Sequence, residues 1–244
     1  MDSNKKQSIA IIGGGVSGIS ACLLLQKNYD IDLYEKENYI GGHTNTIELT
    51  DSDNKPTAVD TGFIVCNNWT YPNFHAMLKK LSVPIRDACM SFGYHDETSG
   101  FQYSGTSLNG LFADRKNIIS PKMIGLIWNV YKFNKKAKHD LKHNRDLEGV
   151  TLKQYLEELK VSETFILQYL VPIGGAIWSS SNAEMLDFPA ELFLHFFKNH
   201  GLLNVINKPQ WQTVKGGSYS YVKKFLTQFK GNVILNSGIE QITR

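Results

Sequence analysis

Cysteine is scarce in this chain and long apolar runs are missing, and each absence narrows what the protein can be. The three cysteines, Cys22, Cys66 and Cys89, are far apart, odd in number and form no C-x-x-C pair. That pattern excludes a disulfide framework and a cysteine zinc site, and makes a reducing, cytoplasmic setting the expected one. His195 and His200 have no partner at metal-ligand spacing, so no metal is expected. No apolar stretch approaches the roughly 20 residues of a membrane span. Lys5 and Lys6 before an apolar stretch reaching Leu25 imitate a signal peptide, but three glycines interrupt it. A formal net charge of +3 is too small to imply a nucleic-acid partner. What remains, 42% hydrophobic and 20% charged residues in 244, describes a soluble globular chain able to bury one large core or two small ones.

The stretch that organises the rest runs from Ser8 to Glu35. Ile9 to Ile12 are four consecutive apolar residues, too few for a helix and suited to a parallel strand buried on both faces. Gly13-Gly14-Gly15-Val16-Ser17-Gly18 follows at once. In a G-x-G-x-x-G turn, Gly13 permits the tight bend, Gly15 lets the backbone approach a pyrophosphate, and Gly18 packs the helix against the strand. The phosphates would meet unpaired N–H groups at the positive end of a helix running from Val16 to about Gln26. A second strand, Ile31 to Glu35, ends in an acid 17 residues after Gly18, close to the roughly 20 expected of a carboxylate that binds ribose hydroxyls. Glu35 also argues against a 2′-phosphate, since two anions would meet there. A structural glycine turn is the bland alternative, and this motif alone leaves an NAD-linked dehydrogenase open.

Gly41-Gly42-His43-Thr44 comes just downstream of that acid. Two adjacent residues without side chains allow a second close backbone approach, which suits a long cofactor better than a short one. Together with the first glycine turn and Glu35, this pair resembles the flavin-dependent amine oxidase superfamily. Val59-Asp60-Thr61-Gly62-Phe63-Ile64-Val65, Thr70-Tyr71-Pro72-Asn73-Phe74, Met90-Ser91-Phe92, Ala176-Ile177-Trp178-Ser179, Asn199-His200-Gly201-Leu202-Leu203 and Trp211-Gln212-Thr213-Val214-Lys215-Gly216-Gly217-Ser218 extend the likeness along the chain, toward a subfamily described as FAD/NAD-binding oxidoreductases.

The resemblance implies FAD as the cofactor. Gly13, Gly15 and Gly18 with the amides of Val16 and Ser17 would hold its pyrophosphate. Glu35, with Lys36 beside it, would meet the adenosine ribose, and Gly41, Gly42, His43 and Thr44 the phosphates and the flavin side. Many superfamily members carry arginine at the position of His43. Thr61, Gly62 and Phe63 would run beside the ring system, where a strand bulge is the structural alternative, and Ile239 would contact the adenine. A lysine that several relatives place near the flavin would lie beyond Arg244, so no catalytic residue is named.

Further along, Pro72 favours a helix over Tyr71 to Leu81, and Phe92 to Tyr103 suits a hairpin. Met123 to about His143 forms a long helix carrying Lys132, Lys135, Lys136, Lys138 and Lys142, with Arg145 just after it, against only Asp140. Such a helix docks on an anionic membrane surface, attracts an acidic substrate, or presents a solvated face. Thr151 and Gln154 have capping-box spacing for a helix to about Leu159. The apolar run Phe165 to Val171 is expected to end at Pro172, and Ala176 to Asn182 to form a loop. Pro189 and Gly201 bracket a helix over Ala190 to Asn199, whose Leu192, Phe193, Phe196 and Phe197 read first as a core stripe and second as a lipophilic pocket lining. Lys215-Gly216-Gly217-Ser218 opens a helix from Tyr219 to Phe229, followed by strands at Val233 to Asn236 and Ile239 to Thr243.

The expected architecture is therefore α/β. A Rossmann-like FAD-binding domain with a GxGxxG βαβ start would occupy residues 1–66 and return at 214–244. A mixed α+β, mainly helical substrate domain would be inserted at 67–213. The resemblance implies that the C-terminal part of the family fold lies outside this chain, as in a truncated frame or one half of a split protein. It also implies an FAD-dependent oxidoreductase that oxidises a C–N or C–C bond by hydride transfer to flavin. Alternatives are a desaturase or dehydrogenase of a lipid-like substrate, and a non-catalytic FAD-binding fragment that works with a second, completing chain. The aromatics suit an apolar or amphipathic small-molecule substrate, with peripheral membrane contact through residues 123–143 as a further expectation.

Overall fold

The computed structural model describes residues 6–105, 107–204 and 206–243; Lys5 and Arg244, both named above, lie outside them. The chain forms two compact units, residues 1–88 with 210–244, and residues 89–209. The first segment gives β1 (Ser8–Ile12), α1 (Val16–Leu25), β2 (Asp30–Tyr34), β3 (Thr46–Thr50), β4 (Pro56–Asp60), β5 (Cys66–Asn67), α2 (Pro72–Lys80) and β6 (Ile85–Asp87). The second unit contains β7 (Gly93–His95), β8 (Gln102–Ser104), α3 (Leu108–Leu111), α4 (Pro121–Lys142), α5 (Leu152–Leu159), α6 (Glu163–Phe165), α7 (Val171–Trp178), α8 (Asn182–Asp187) and α9 (Ala190–Asn199). The chain then returns as β9 (Trp211–Val214), α10 (Tyr219–Gln228) and β10 (Asn232–Ile234).

In the first unit β1 and β10 flank β2 in a parallel three-stranded sheet. A parallel pair needs a crossover, and α1 supplies it. The inward face of α1, Ile19, Cys22 and Leu23, packs with Ile31 and Leu33 of β2 and with Tyr221, Val222 and Phe225 of α10. The expectation of a β1 buried on both faces is corrected. Ser8, Ala10 and Ile12 are exposed while Ile9 and Ile11 are half-buried, because one face of the strand packs on the core, through Ile11, and the alternate face is left uncovered. β3 and β4 form an antiparallel hairpin, and β5, β9 and β6 a second three-stranded sheet. That sheet is the reason the first unit runs past residue 66 to Ala88: β9 lies between two strands drawn from 66–87.

The second unit is built on α4, whose Met123, Leu126, Phe133 and Ala137 are buried with Tyr155, Phe165, Phe193 and Phe197. Both halves of the capping box at the start of α5 are made: the Thr151 amide donates to Gln154 Oε1 (2.9 Å) and the Gln154 amide to Thr151 Oγ1 (3.2 Å). β7 and β8 pair as the hairpin expected between Phe92 and Tyr103. In α9, Phe193 and Phe197 stack at 4.2 Å inside the core while Leu192 faces outward.

Two further expectations are corrected. The apolar run after Phe165 does not end at Pro172. A π-helical turn, Ile166–Leu170, passes directly into α7. Proline has no N–H for the carbonyl four residues back, here that of Gln168; the Tyr103 hydroxyl donates to that carbonyl instead, at 2.7 Å. Ala176 to Trp178 consequently stay helical, and Ser181 caps α8 through the Glu184 amide. The second correction concerns Ile239 to Thr243, which form no strand. The chain before them is held alongside the end of β2 by Asn236 and Ser237, whose amides donate to the carbonyls of Glu37 (3.0 Å) and Glu35 (2.9 Å).

Candidate functional site

All the residues expected to bind the cofactor fall in the first unit, most of them at the end of the parallel sheet where β1 and β2 turn into loops. Gly13 closes the turn after β1, its N–H donating to the Tyr34 carbonyl (2.8 Å) at φ +95°, a conformation that favours glycine. Gly15 caps α1 without a side-chain hydrogen bond. Among the described residues nothing accepts from the amides of Val16 or Ser17, both of which are exposed. Two donors at the positive end of a helix thus face open space, which is an anion site in the making.

The glycines divide by what surrounds them. A Cβ on Gly13 would meet nothing within 4 Å, and one on Gly15 only the Gly42 Cα at 3.9 Å. A Cβ on Gly18 would lie 1.9 Å from the Gly13 carbonyl oxygen, so Gly18 is needed by the fold and Gly15 is not. Glu35, at the end of β2, is buried. Its Oε2 accepts from the Gly14 amide (2.7 Å) and its Oε1 from the Glu37 amide (3.0 Å). Burial pushes this carboxyl up, and the amides of Glu37, Gly14 and Lys36 with the Lys36 ammonium more than reverse it, leaving its pKa below the ordinary carboxylate value. Glu35 is therefore an ionised acceptor with lone pairs to spare. The Lys36 side chain is exposed and its ammonium lies 3.5 Å from the Glu37 carboxylate.

The second glycine pair joins the first. The Gly41 amide donates to the Gly14 carbonyl (3.0 Å), and a Cβ on Gly42 would lie 3.0 Å from the Gly15 Cα. Thr44 closes this second turn by donating its N–H to the Gly41 carbonyl (3.1 Å), and its hydroxyl is shared with the buried Tyr221 hydroxyl (2.6 Å). Thr44 is thus turned into the core, whereas His43 is exposed. Thr61 and Phe63 run antiparallel to this loop, with the Thr61 amide donating to the Asn45 carbonyl (2.9 Å) and the Phe63 amide to the His43 carbonyl (3.2 Å). Gly62 is required at the crossing, since a Cβ there would lie 1.9 Å from the His43 oxygen. Ile239 is exposed and stands just past the segment that lies beside Glu35.

Asp60 and Ser218 form a clamp that sequence reasoning missed. The Ser218 amide donates to both Asp60 oxygens (2.8 and 3.0 Å), and its hydroxyl lies 2.9 Å from Asp60 Oδ2 and 2.5 Å from the Phe63 carbonyl. Thr46 also donates to Asp60. The Asp60-Thr61-Gly62-Phe63 and Gly216-Gly217-Ser218 motifs are therefore one structure. Among the described residues no group of three or more His, Cys, Asp or Glu could hold a metal. Burial pushes the Cys22 thiol up to about 11 and raises Cys66 as well, so neither is an activated nucleophile.

Residues 11–81 match the family of NAD(P)-binding Rossmann-like domains. The opening of this chain is a Rossmann-like domain. Two curated proteins match a 44-residue stretch, the 4,4'-diaponeurosporene oxygenases of Staphylococcus haemolyticus (50% identical) and Staphylococcus aureus (48%). That stretch is 18% of this chain and 9% of either relative. Among solved structures, putrescine oxidase bound to putrescine matches with a TM-score of 0.63 and 18% identity, over 95% of this chain and 51% of that one. An oxidoreductase from Methanosarcina mazei matches at 0.60 and 16%, over 94% and 51%. The chain thus spans about half the length of the solved structures it matches. The resemblance to the amine oxidase superfamily is borne out in the fold: a Rossmann-like domain interrupted by a mixed α+β unit, shared with putrescine oxidase. In this domain the two glycine turns, Glu35 and the 60–63 segment converge on one open rim. Among the described residues no helix is long and apolar enough to cross a membrane.

Proposed function

We propose that this chain binds FAD and belongs to an oxidoreductase of the amine oxidase type, with residues 89–209 forming the substrate unit. The observation that carries the reading is the joining of the two glycine turns beside an ionised Glu35. A cradle in which Gly13 and Gly15 leave room, α1 offers two amides and a second glycine turn continues the rim suits a ligand with a pyrophosphate and groups on both sides of it. The amides of Val16 and Ser17 would take the pyrophosphate and Glu35 the ribose hydroxyls. Gly42 and His43 would line the flavin side, with Thr61 to Phe63 behind them and Ile239 toward the adenine. FAD, when bound, supplies the hydride-accepting chemistry for oxidation of a C–N or C–C bond. The chain's own part is to hold and orient it. The direct test is to add FAD to the purified chain and record its visible spectrum. Flavin bands retained through gel filtration are expected, and a colourless protein would overturn the reading.

Within this class, the match to two 4,4'-diaponeurosporene oxygenases and the aromatic packing of Phe92, Tyr94, Tyr103 and Tyr169 in the second unit support an apolar or amphipathic substrate, and hence dehydrogenation of a lipid-like molecule. A reading of another class, an FAD-binding module completed by a further segment or chain, is favoured by β1. Its outer edge has no strand partner among the described residues, and Ile12 beside it is 52% exposed, a combination that invites strand addition. Retained flavin without turnover of any amine or lipid substrate would select the module.

A further inference from the structure

The outer face of α4 has no role in the cofactor reading and rests on the second unit alone. Ile124, Ile127, Trp128 and Tyr131 recur at helical spacing, and all four are exposed, Trp128 by 62%. The Trp128 and Tyr131 rings lie side by side, 5.6 Å between centroids. Buried residues of the same helix, Met123, Leu126, Phe133 and Ala137, occupy the opposite side, so this is a second apolar surface that the unit's core does not use. The same ridge continues over about the next three turns as Lys135, Lys138 and Lys142, all exposed. Lys135 Nζ sits 6.0 Å from the Tyr131 ring centroid, where the two halves of the ridge meet. Asp140, the helix's sole acid, is buried and held by Lys136 (2.6 Å) and Arg145 (3.1 Å). No helix acid therefore offsets the lysines.

We propose that α4 docks this unit on an anionic lipid surface, lying in the interface with Ile124, Ile127, Trp128 and Tyr131 inserted and Lys135, Lys138 and Lys142 on the headgroups. Charge complementarity selects this occupant. A one-sign cationic strip continuous with a tryptophan and tyrosine pair matches the headgroup region, where amphipathic rings settle and lysines meet negative charge. The apolar part is only two turns long, too small to hold the protein without the electrostatic attraction. Both halves of the ridge are therefore needed.

Flotation of the full chain with phosphatidylcholine vesicles, with and without phosphatidylglycerol, tests this directly. Binding is expected with phosphatidylglycerol only, with a blue shift of tryptophan emission that Trp128→Phe removes. Lys135→Gln, Lys138→Gln and Lys142→Gln should each weaken partitioning by roughly five-fold, and raising the salt should release the unsubstituted protein. Ile124→Ser with Trp128→Ser should also abolish binding. Since these side chains lie outside the core, thermal melting of the variants should match the parent; the salt response needs no variant at all. Absence of binding, or binding that salt and the lysine substitutions leave unchanged, overturns the proposal. So does a dimer in sedimentation velocity that Trp128→Ser dissociates, because a second copy would then occupy the face. Flavin content enters none of these readouts, so the outcome is independent of the cofactor reading.

Discussion

Gly41 donates its amide hydrogen to the carbonyl of Gly14 at 3.0 Å, which ties the second glycine pair to the first turn across 27 residues of chain. The contact is backbone to backbone, and Gly42 approaches Gly15 closely enough that a side chain on Gly42 would meet it at 3.0 Å. Two motifs that read separately in the sequence are thus one rim, and the first prediction follows from how its glycines differ.

Gly15→Val should leave the fold intact and abolish FAD retention. Gly15 has φ −74°, which valine adopts, and its Cβ would project into space where only Gly42 is near. Gly18→Ala should do the reverse of a specific lesion, lowering the melting temperature and lowering soluble yield, since its Cβ would sit 1.9 Å from the Gly13 oxygen. Comparing thermal melting and flavin absorbance for the two variants checks the assignment. Equal flavin content in Gly15→Val and parent would contradict it.

Glu35→Gln should weaken FAD binding and stability together. The amide keeps one acceptor for Gly14 or Glu37 and faces the other N–H with a donor, a mismatch costing about 1–3 kcal/mol. Because the folded carboxyl titrates below its unfolded value, its stabilisation is present above about pH 4 and is lost as pH falls through the folded value. The gap in stability between parent and variant, followed by denaturant melts across pH, should therefore narrow on acidification.

Asp60→Ala should loosen the clamp that anchors the 60–63 side of the rim. Ser218, which is fully buried, would lose the acceptor of its amide and Thr46 that of its hydroxyl. A loss of about 2 kcal/mol is expected, seen as a drop of about 6 °C in melting temperature for a chain of this size. Ser218→Ala keeps the amide contact and should cost less.

Asp140→Asn tests the second unit. Burial pushes this carboxyl up, and hydrogen bonds from Lys136, Tyr155, His139 and Arg145 outweigh it, so the group titrates below its ordinary value. Breaking a buried pair costs about 3–5 kcal/mol, and the half-exposed Lys136 and Arg145 place this one at about 3. The stabilisation is present above about pH 4 and lost as pH falls through the folded value. The Asn variant should therefore be less stable at neutral pH and approach the parent in acid.

What the sequence made legible was local. β1, α1 and β2 followed from a glycine spacing that only a strand-turn-helix satisfies, and α5 from Thr151 and Gln154, which make both halves of their box. Helix α4 followed from its apolar period, and its observed start at Pro121 adds a Ser120 cap and a proline at the first turn. What escaped was non-local. β9 pairs with β5 and β6, strands of two and three residues that are too short to carry a period. The Asp60 and Ser218 clamp spans 158 positions, and an Asp or a Ser alone announces no partner. Thr44 was expected on the rim, and nothing in the local sequence shows that its hydroxyl turns to Tyr221.

The π-helical turn at Ile166–Leu170 makes the second unit sensitive to a kind of change that substitution does not probe. Each residue added to or removed from a helix rotates everything after it by about 100°. A π turn already carries one residue more than an α turn, and here it feeds directly into α7 with the Gln168 carbonyl engaged by Tyr103. Inserting a further residue would swing Ile173 out of the core and carry the Trp178 ring away from Phe188, Phe193 and Phe196, whereas deleting one would return the turn to α-helical spacing. The segment between Phe165 and Pro172 thus accepts a shorter chain more readily than a longer one.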